Sequence, residues 1–278
     1  MKKLFYVLCI FCCSSAVAGG SAIEQAIDMQ ISAWQAGRPP PKLVAAGIDL
    51  PLDDVYQVQA GFSAYMFAGQ AADGFKGGLT GRGDPQRFGL EQPLAGALPP
   101  GSALQSTDNT FELDSSKYHR AMVELELGFV FEKPITASDV SVQEIKAAVA
   151  AVFPVLELPD LGFAGEGSLH GKDVIAANAS AKHYIRGPKA IHPITEINDL
   201  VLKLYKDEEL IVEGVGSDAM GDQWRALQWL IKQRLSSGWS IKKGQILITG
   251  AIGKMVALPP GQYRAEFGDQ ASIFLAVR

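Results

Sequence analysis

The sequence predicts an α+β fold built on a mixed β-sheet, and three observations support this class. Apolar residues alternate strictly from Val123 to Phe131, a pattern typical of a strand. Capping residues precede several stretches whose apolar residues recur at helical spacing. The predicted strands surround the helices without a regular βαβ alternation, which favours a mixed sheet over a doubly wound one.

The first part of the chain is predicted to be mainly helical. Ser21-Ala22-Ile23-Glu24 is a capping box, and the apolar spacing after it predicts a helix to Trp34. A second helix is predicted from about Leu52 to Ala68. We therefore expect a small helical N-terminal region over residues 19–100, leading into the main domain over 101–278.

The main domain is predicted to contain more strands than helices. The predicted strands are Val123–Phe131, Val155–Leu158, Leu200–Tyr205, Glu209–Glu213, Gln245–Thr249 and Ser272–Val277. The predicted helices run from a capping box at Ser141 to about Val152 and from Asp222 to Leu235. Residues 159–180 are rich in glycine, alanine and aspartate and predict a loop.

Composition excludes several classes of protein. The chain has 278 residues, of which 20% are charged and 47% hydrophobic, so it is not a disordered, collagen-like or coiled-coil chain. Its formal net charge is −5 and it has no run of lysine and arginine, so nucleic acid is not an expected partner.

The N-terminus predicts a secretory signal peptide over residues 1–18. Lys2 and Lys3 precede an apolar run from Leu4 to Cys13, and Ala16-Val17-Ala18 matches a cleavage site before Gly19. The run is too short for a stable membrane anchor, so we expect an exported protein, periplasmic or secreted.

Cleavage at this site can be tested directly. N-terminal sequencing of the native protein should begin at or near Gly19, and an intact Met1 in soluble protein would contradict the prediction. All three cysteines, Cys9, Cys12 and Cys13, lie before Gly19. The mature chain would therefore form no disulfide and no thiolate metal site.

Three glutamates are candidate metal ligands. Glu124 and Glu126 are two apart on a predicted strand, so they share one face with Cα atoms about 6.6 Å apart. Paired carboxylates suit a hard divalent cation, but they also occur on a solvated strand face. Glu157 lies within an apolar strand, where burial of its charge requires a partner, either a shared metal or a nearby lysine.

Lys76 and a second glycine-rich segment are further candidates. Lys76 stands among glycines, where it either points into a site as a cation or is exposed on a loop. Thr249-Gly250-Ala251 follows a predicted strand, and its backbone N–H groups either bind an anion or form a tight turn. The four histidines show no metal-ligand spacing.

In their order and spacing, these segments resemble the 2-keto-4-pentenoate hydratase family of the fumarylacetoacetate hydrolase superfamily. The resemblance covers roughly residues 45–278. The matching segments are the Y-x-x-Q at Tyr56–Gln59, G-x-K-x-G-L-T at Gly74–Thr80, E-x-E at Glu124–Glu126, P-x-L-E at Pro154–Glu157, N-A-S at Asn178–Ser180, a tryptophan-containing helix at Gly221–Leu230, and Gly244–Met255, which is close to the family's G-D-I-x-L-T-G-A-x-G-x-M.

The resemblance implies a mixed β-roll or sandwich core and a metal-dependent hydratase or lyase acting on a small 2-oxo (2-hydroxydienoate) acid. It also implies one Mg²⁺ or Mn²⁺ ion held by Glu124, Glu126 and Glu157, with Lys76 assisting catalysis. Substrate-binding positions are implied at Leu79, Ser180, Thr249, Gly250 and Ala251. Homo-oligomer formation is compatible with the resemblance.

Two departures from the family pattern leave alternatives open. Arg87 stands where we expect the family's acidic residue, and Ala177 replaces another acid. Two cations side by side would lower the pKa of Lys76. The alternatives are an exported protein that binds a 2-oxo acid and metal with little turnover, a decarboxylase, or a hydrolase of a C–C bond in acylpyruvates. The hydrolase requires a base, for which His170 and Glu166 are the loop candidates.

Overall fold

The computed structural model describes residues 21–106, 110–137 and 139–278. The predicted signal peptide and its three cysteines lie outside these residues. The helices are Ala22–Gln35 (α1), Leu52–Phe67 (α2), Asp84–Arg87 (α3), Val142–Ala148 (α4), Gly171–Ala176 (α5) and Gln223–Ser236 (α6). None of the described helices is long and apolar enough to cross a membrane.

Twelve strands are present in the described residues. They are Gly74–Gly78 (β1), Leu94–Leu98 (β2), Thr110–Leu113 (β3), Met122–Phe131 (β4), Val149–Leu158 (β5), His183–Arg186 (β6), Val201–Lys206 (β7), Glu209–Val215 (β8), Ile246–Ile248 (β9), Ile252–Ala257 (β10), Gly261–Phe267 (β11) and Ala271–Val277 (β12).

The strands form two mixed sheets. The larger has the order β2-β1-β9-β4-β5-β6, with β10 also paired to β4, and the smaller has the order β3-β12-β11-β7-β8. In the larger sheet β1 runs parallel to β9, whereas β4 runs antiparallel to β5 and to β9. The predicted α+β class with a mixed sheet is confirmed.

The helix caps follow the local sequence signals. The Ser21 hydroxyl accepts a hydrogen bond from the Glu24 backbone N–H while the Glu24 carboxylate accepts one from the Ser21 N–H. The Asp222 carboxylate accepts a hydrogen bond from the backbone N–H of Arg225 and thereby caps the N-terminus of α6. These side chains satisfy N–H groups that lack a partner within the helix.

Two segments differ from their predicted secondary structure. The helix that begins after Ser141 ends at Ala148, because the chain continues into β5, a ten-residue strand that pairs with β4 along most of its length. The predicted loop over 159–180 contains α5, at whose start the His170 ring accepts a hydrogen bond from the Lys172 N–H and the Asp173 carboxylate accepts one from the His170 N–H. Long-range strand pairing and a histidine cap are not visible in local periodicity.

The division of the chain at residue 100 stays a prediction, but its first part is not wholly helical. After α1 and α2 the chain forms β1 and β2, which belong to the larger sheet. Their glycine content hides the strand signal, since glycine has low strand propensity. At Gly74 glycine is required, because a Cβ atom would lie 1.8 Å from the carbonyl oxygen of Ile246 on β9.

Candidate active site

The pairing of β4 with β5 brings the three predicted glutamates together. In the antiparallel register Glu124 lies opposite Glu157, and Glu126 lies two residues further along the same face of β4. One carboxylate oxygen from each of the three residues lies within 4.8 Å of the other two. Glu126 and Glu157 are fully buried, whereas Glu124 is half-buried and leaves one side of the cluster accessible.

Lys76 lies beside these carboxylates. It is on β1 rather than on an exposed loop, and only 3% of it is exposed. Its ammonium group forms an ion pair with the Glu157 carboxylate and donates a hydrogen bond of 3.2 Å to the carbonyl oxygen of Ala179. The glycines on either side of Lys76 allow the strands of the larger sheet to pack closely around it.

The electrostatics of the cluster are dominated by burial and mutual repulsion. Burial, reinforced by the negative charge of Glu157, raises the pKa of Glu124 to about 8. The same two causes raise the pKa of Glu126 well above its usual value. Burial alone would lower the pKa of Lys76, but the negative charges of the three glutamates outweigh it and raise that pKa. Lys76 is therefore a cation throughout the neutral range. Its single positive charge does not balance the three neighbouring carboxylates.

Arg87 does not take part in this cluster, so its predicted effect on Lys76 is wrong. The Arg87 side chain is 77% exposed and pairs with Asp84 at 3.4 Å. The negative charge of Asp84 makes only a minor contribution to the raised pKa of Glu124, after burial and the charge of Glu157.

The glycine-rich turn after β9 contacts the cluster through its backbone. The N–H of Gly250 donates a hydrogen bond of 2.6 Å to the Glu126 carboxylate. The anion that this N–H contacts is therefore a side chain of the protein itself. Gly250 has φ +103°, and a Cβ atom there would lie 2.1 Å from the Thr80 hydroxyl oxygen. The Thr249 hydroxyl donates a hydrogen bond of 2.6 Å to the side-chain oxygen of Gln223 on α6. Ala251 continues this turn and is half-buried.

The two other predicted substrate positions lie in strained backbone. Leu79 has φ +54°, and Asn178, Ala179 and Ser180 form a left-handed turn with φ of 54°, 53° and 55°. The Asn178 amide fixes this turn to β2, because it accepts from the N–H of Ala97 and donates to its carbonyl. The turn places the Ala179 carbonyl against Lys76, while Ser180 lines a separate cavity described below.

Two residues of the site were not singled out from the sequence. Thr80 is buried beside Gly250, and its hydroxyl has no hydrogen-bond partner among the described residues. Gln223 connects Thr249 to the carbonyl of Gly216. Both stand inside segments that resemble the family pattern, which is the signal that could have identified them.

The residues present fit a hard divalent cation. One oxygen of Glu126 and one of Glu157 are buried and accept no hydrogen bond from any described residue. Such orphaned carboxylate oxygens are costly in a protein interior unless a cation binds them. An all-oxygen donor set matches the preference of Mg²⁺ and Mn²⁺ rather than that of Zn²⁺.

Comparison with known proteins agrees with the architecture. The profile of the fumarylacetoacetate (FAA) hydrolase C-terminal family matches residues 80–276. The chain is 28% identical over 240 residues to a 2-keto-4-pentenoate hydratase of Paraburkholderia xenovorans (strain LB400), covering 86% of this chain and 88% of that protein. It is 26% identical over 223 residues to a 4-oxalocrotonate decarboxylase of Pseudomonas sp. (strain CF600), covering 80% and 83%.

A solved structure shares the whole fold. The 4-oxalocrotonate decarboxylase from Pseudomonas putida G7, complexed with magnesium and adipate, superposes with a TM-score of 0.82 at 22% identity and covers 92% of this chain and 98% of that one. The same enzyme has also been solved with calcium and acetate. The named relatives are lyase-type enzymes.

Proposed function

Because the chain belongs to the fumarylacetoacetate hydrolase family, we propose that it is a divalent-metal-dependent lyase of a small 2-oxo acid, with hydration of a 2-hydroxydienoate as its reaction. The observation that carries the proposal is the buried cluster of Glu124, Glu126 and Glu157 with Lys76 at its side. Relatives named for hydration and decarboxylation of such acids support the substrate class.

Glu124, Glu126 and Glu157 would hold one Mg²⁺ or Mn²⁺ ion. When bound, the ion supplies a Lewis acid that polarises the 2-oxo group and neutralises negative charge that develops on the substrate. Its proposed position is supported by the orphaned oxygens of Glu126 and Glu157 and by the half-buried Glu124 at the accessible side.

The protein groups around the cluster have separate roles in this proposal. Lys76 holds a positive charge and a proton at Nζ, where it would orient an acidic substrate and exchange a proton with it. The Gly250 N–H fixes the orientation of the Glu126 carboxylate. The unpaired Thr80 hydroxyl lies beside Gly250, where it can donate a hydrogen bond to a substrate carboxylate. The left-handed turn at Ala179 fixes the position of the Lys76 ammonium.

Metal binding should depend on pH in a direction set by the glutamates. With the pKa of Glu124 raised to about 8, the metal-free cluster holds a proton at pH 6.5 that the cation must displace. Mg²⁺ affinity should therefore be weaker at pH 6.5 than at pH 8.5, by about tenfold for each pH unit below that pKa and for each proton displaced. Calorimetric titration at both pH values measures this, and equal affinities would contradict the protonated cluster.

The reaction itself is tested by an activity screen of the Mg²⁺- or Mn²⁺-loaded protein. Loss of dienol absorbance with 2-hydroxypenta-2,4-dienoate, yielding a hydrated product, is the expected result. Release of CO₂ from 4-oxalocrotonate would instead identify a decarboxylase, the second candidate, which the shared fold with a decarboxylase supports. Binding of either acid without turnover would support the alternative of a binding protein with little turnover.

The C–C hydrolase is the weaker alternative because the surroundings of its two candidate bases, His170 and Glu166, differ from those of the glutamate cluster. The Nδ1 atom of His170 accepts a hydrogen bond from the Lys172 N–H at the start of α5. Glu166 is exposed on a loop. Neither group is among those that perturb the pKa of Lys76 or of the two β4 glutamates.

A further inference from the structure

A cavity lies between the N-terminal helices and the Asn178–Ser180 turn. Its volume is about 380 Å³, enough for a molecule of roughly a dozen non-hydrogen atoms. Apolar side chains from α1, α2 and the loop after β2 form most of its wall. Those that the argument uses are Trp34, Phe62, Met66, Phe67 and Pro100. Trp34 and Phe62 meet edge to face with ring centroids 6.3 Å apart.

Buried polar groups without partners are concentrated in the same wall. Gln30 is 1% exposed, and neither its amide nitrogen nor its amide oxygen has a hydrogen-bond partner among the described residues. The hydroxyls of Ser102 and Ser180 are also buried and unpaired. All three residues line the cavity. Because unpaired polar groups are costly in an interior, three of them around one cavity indicate a ligand with a hydrogen-bonding head.

Positively charged side chains at the opening of the cavity indicate that the hydrogen-bonding group of the ligand is negatively charged. Arg38 lines the cavity, is exposed, and forms no ion pair within the part of the chain that the structure describes. Lys182 lines it as well, although its ammonium also pairs with Asp160 at 2.8 Å. The Asp160 carboxylate is further occupied by the backbone N–H groups of His119 and Arg120. The cation that remains free for a ligand is Arg38, which favours a carboxylate.

The cavity is distinct from the glutamate cluster. Neither Lys76 nor any of the three glutamates lines it. The Asn178–Ser180 turn lies between the two, because the Ala179 carbonyl accepts a hydrogen bond from Lys76 and Ser180 is among the residues that line the cavity. Occupation of the cavity therefore does not require the metal site.

We propose that this cavity binds a small monocarboxylic acid with an aromatic or branched apolar body, independently of the metal centre. The body would lie against Trp34 and Phe62, and the carboxylate would pair with Arg38 and accept a hydrogen bond from the Gln30 amide. This proposal does not depend on the proposed lyase function, and either can fail without the other.

Calorimetry of the metal-free protein with 4-phenylbutyrate tests the proposal. We expect saturable binding, at least about tenfold weaker binding in Gln30→Leu, and a similar loss when the acid is replaced by 4-phenylbutanol, because the first change removes a donor to the charged carboxylate and the second removes the charge itself. Gln57→Leu, the same substitution on the exposed side of α2, is the matched control and should bind like the wild type.

The fold of the variant is checked by thermal unfolding. Gln30→Leu removes an unpaired buried amide, so its unfolding temperature should equal or exceed that of the wild type. Addition of saturating Mg²⁺ should leave the affinity for 4-phenylbutyrate within about twofold. Absence of saturable binding by 4-phenylbutyrate, cyclohexanecarboxylate and benzoate, or equal affinities for Gln30→Leu and Gln57→Leu, would overturn the proposal.

Discussion

Glu157→Gln is expected to weaken Mg²⁺ binding by more than about 100-fold and to abolish turnover. The substitution keeps the shape of the side chain but removes the carboxylate that faces Glu124 across the β4–β5 pair. Loss of an outer group that only orients a ligand typically costs 10- to 100-fold in metal affinity, so loss of a ligand itself should cost more. Titration of the purified variant with Mg²⁺ at pH 8.5 measures the effect.

A matched substitution separates this effect from general loss of charge. Glu213→Gln makes the same change on β8, where the side chain is 54% exposed and pairs with Lys203. Its Mg²⁺ affinity and turnover should equal those of the wild type. If Glu157→Gln keeps its Mg²⁺ affinity within about threefold while remaining folded, Glu157 is not a metal ligand and the proposed centre is wrong.

Lys76→Met is expected to lower turnover by about 10²- to 10⁴-fold, the usual contribution of a general acid–base group. Its effect on the metal should have the opposite sign to that of Glu157→Gln. Removing a cation beside the glutamates takes away repulsion with a divalent ion, so Mg²⁺ should bind at pH 8.5 at least as tightly as in the wild type. Kinetic assays and metal titration on the same preparation distinguish the two roles.

The controls for Lys76 follow from its burial. Removing it leaves Glu157 buried without its ion-pair partner, which destabilises the metal-free protein, so the variant is compared with the wild type in saturating Mg²⁺. Lys203→Met, a half-exposed lysine on β7, is the matched control and should retain full activity. Turnover of Lys76→Met within about threefold of the wild type would assign Lys76 a structural role only.

Elements with a strong local signal were predictable from the sequence. α1 and α6 begin at capping residues, and β4 shows a strict apolar alternation, so each could be located within a few residues. β1 and β2 could not, since their glycines and alanines carry no strand signal and their pairing partners are distant in the chain.

The features of the candidate site likewise divide into those that the sequence predicts and those that only the structure shows. Two glutamates on one strand face follow from the two-residue period of a strand, and the spacing of the segments around Lys76 and Glu157 identifies the family. That the Arg87 side chain is exposed and pairs with Asp84 depends on the turn of α3, which no periodicity describes.

The sequence by itself therefore determined the α+β class, the family and the identities of the three glutamates and the lysine. Only the tertiary structure decided that the four groups meet. Glu157 faces Glu124 because of the register between two strands, and Lys76 reaches Glu157 because β1 enters the same sheet. The physical reason is that local propensity acts over a few residues, whereas pairing across a sheet is set by the burial of whole faces.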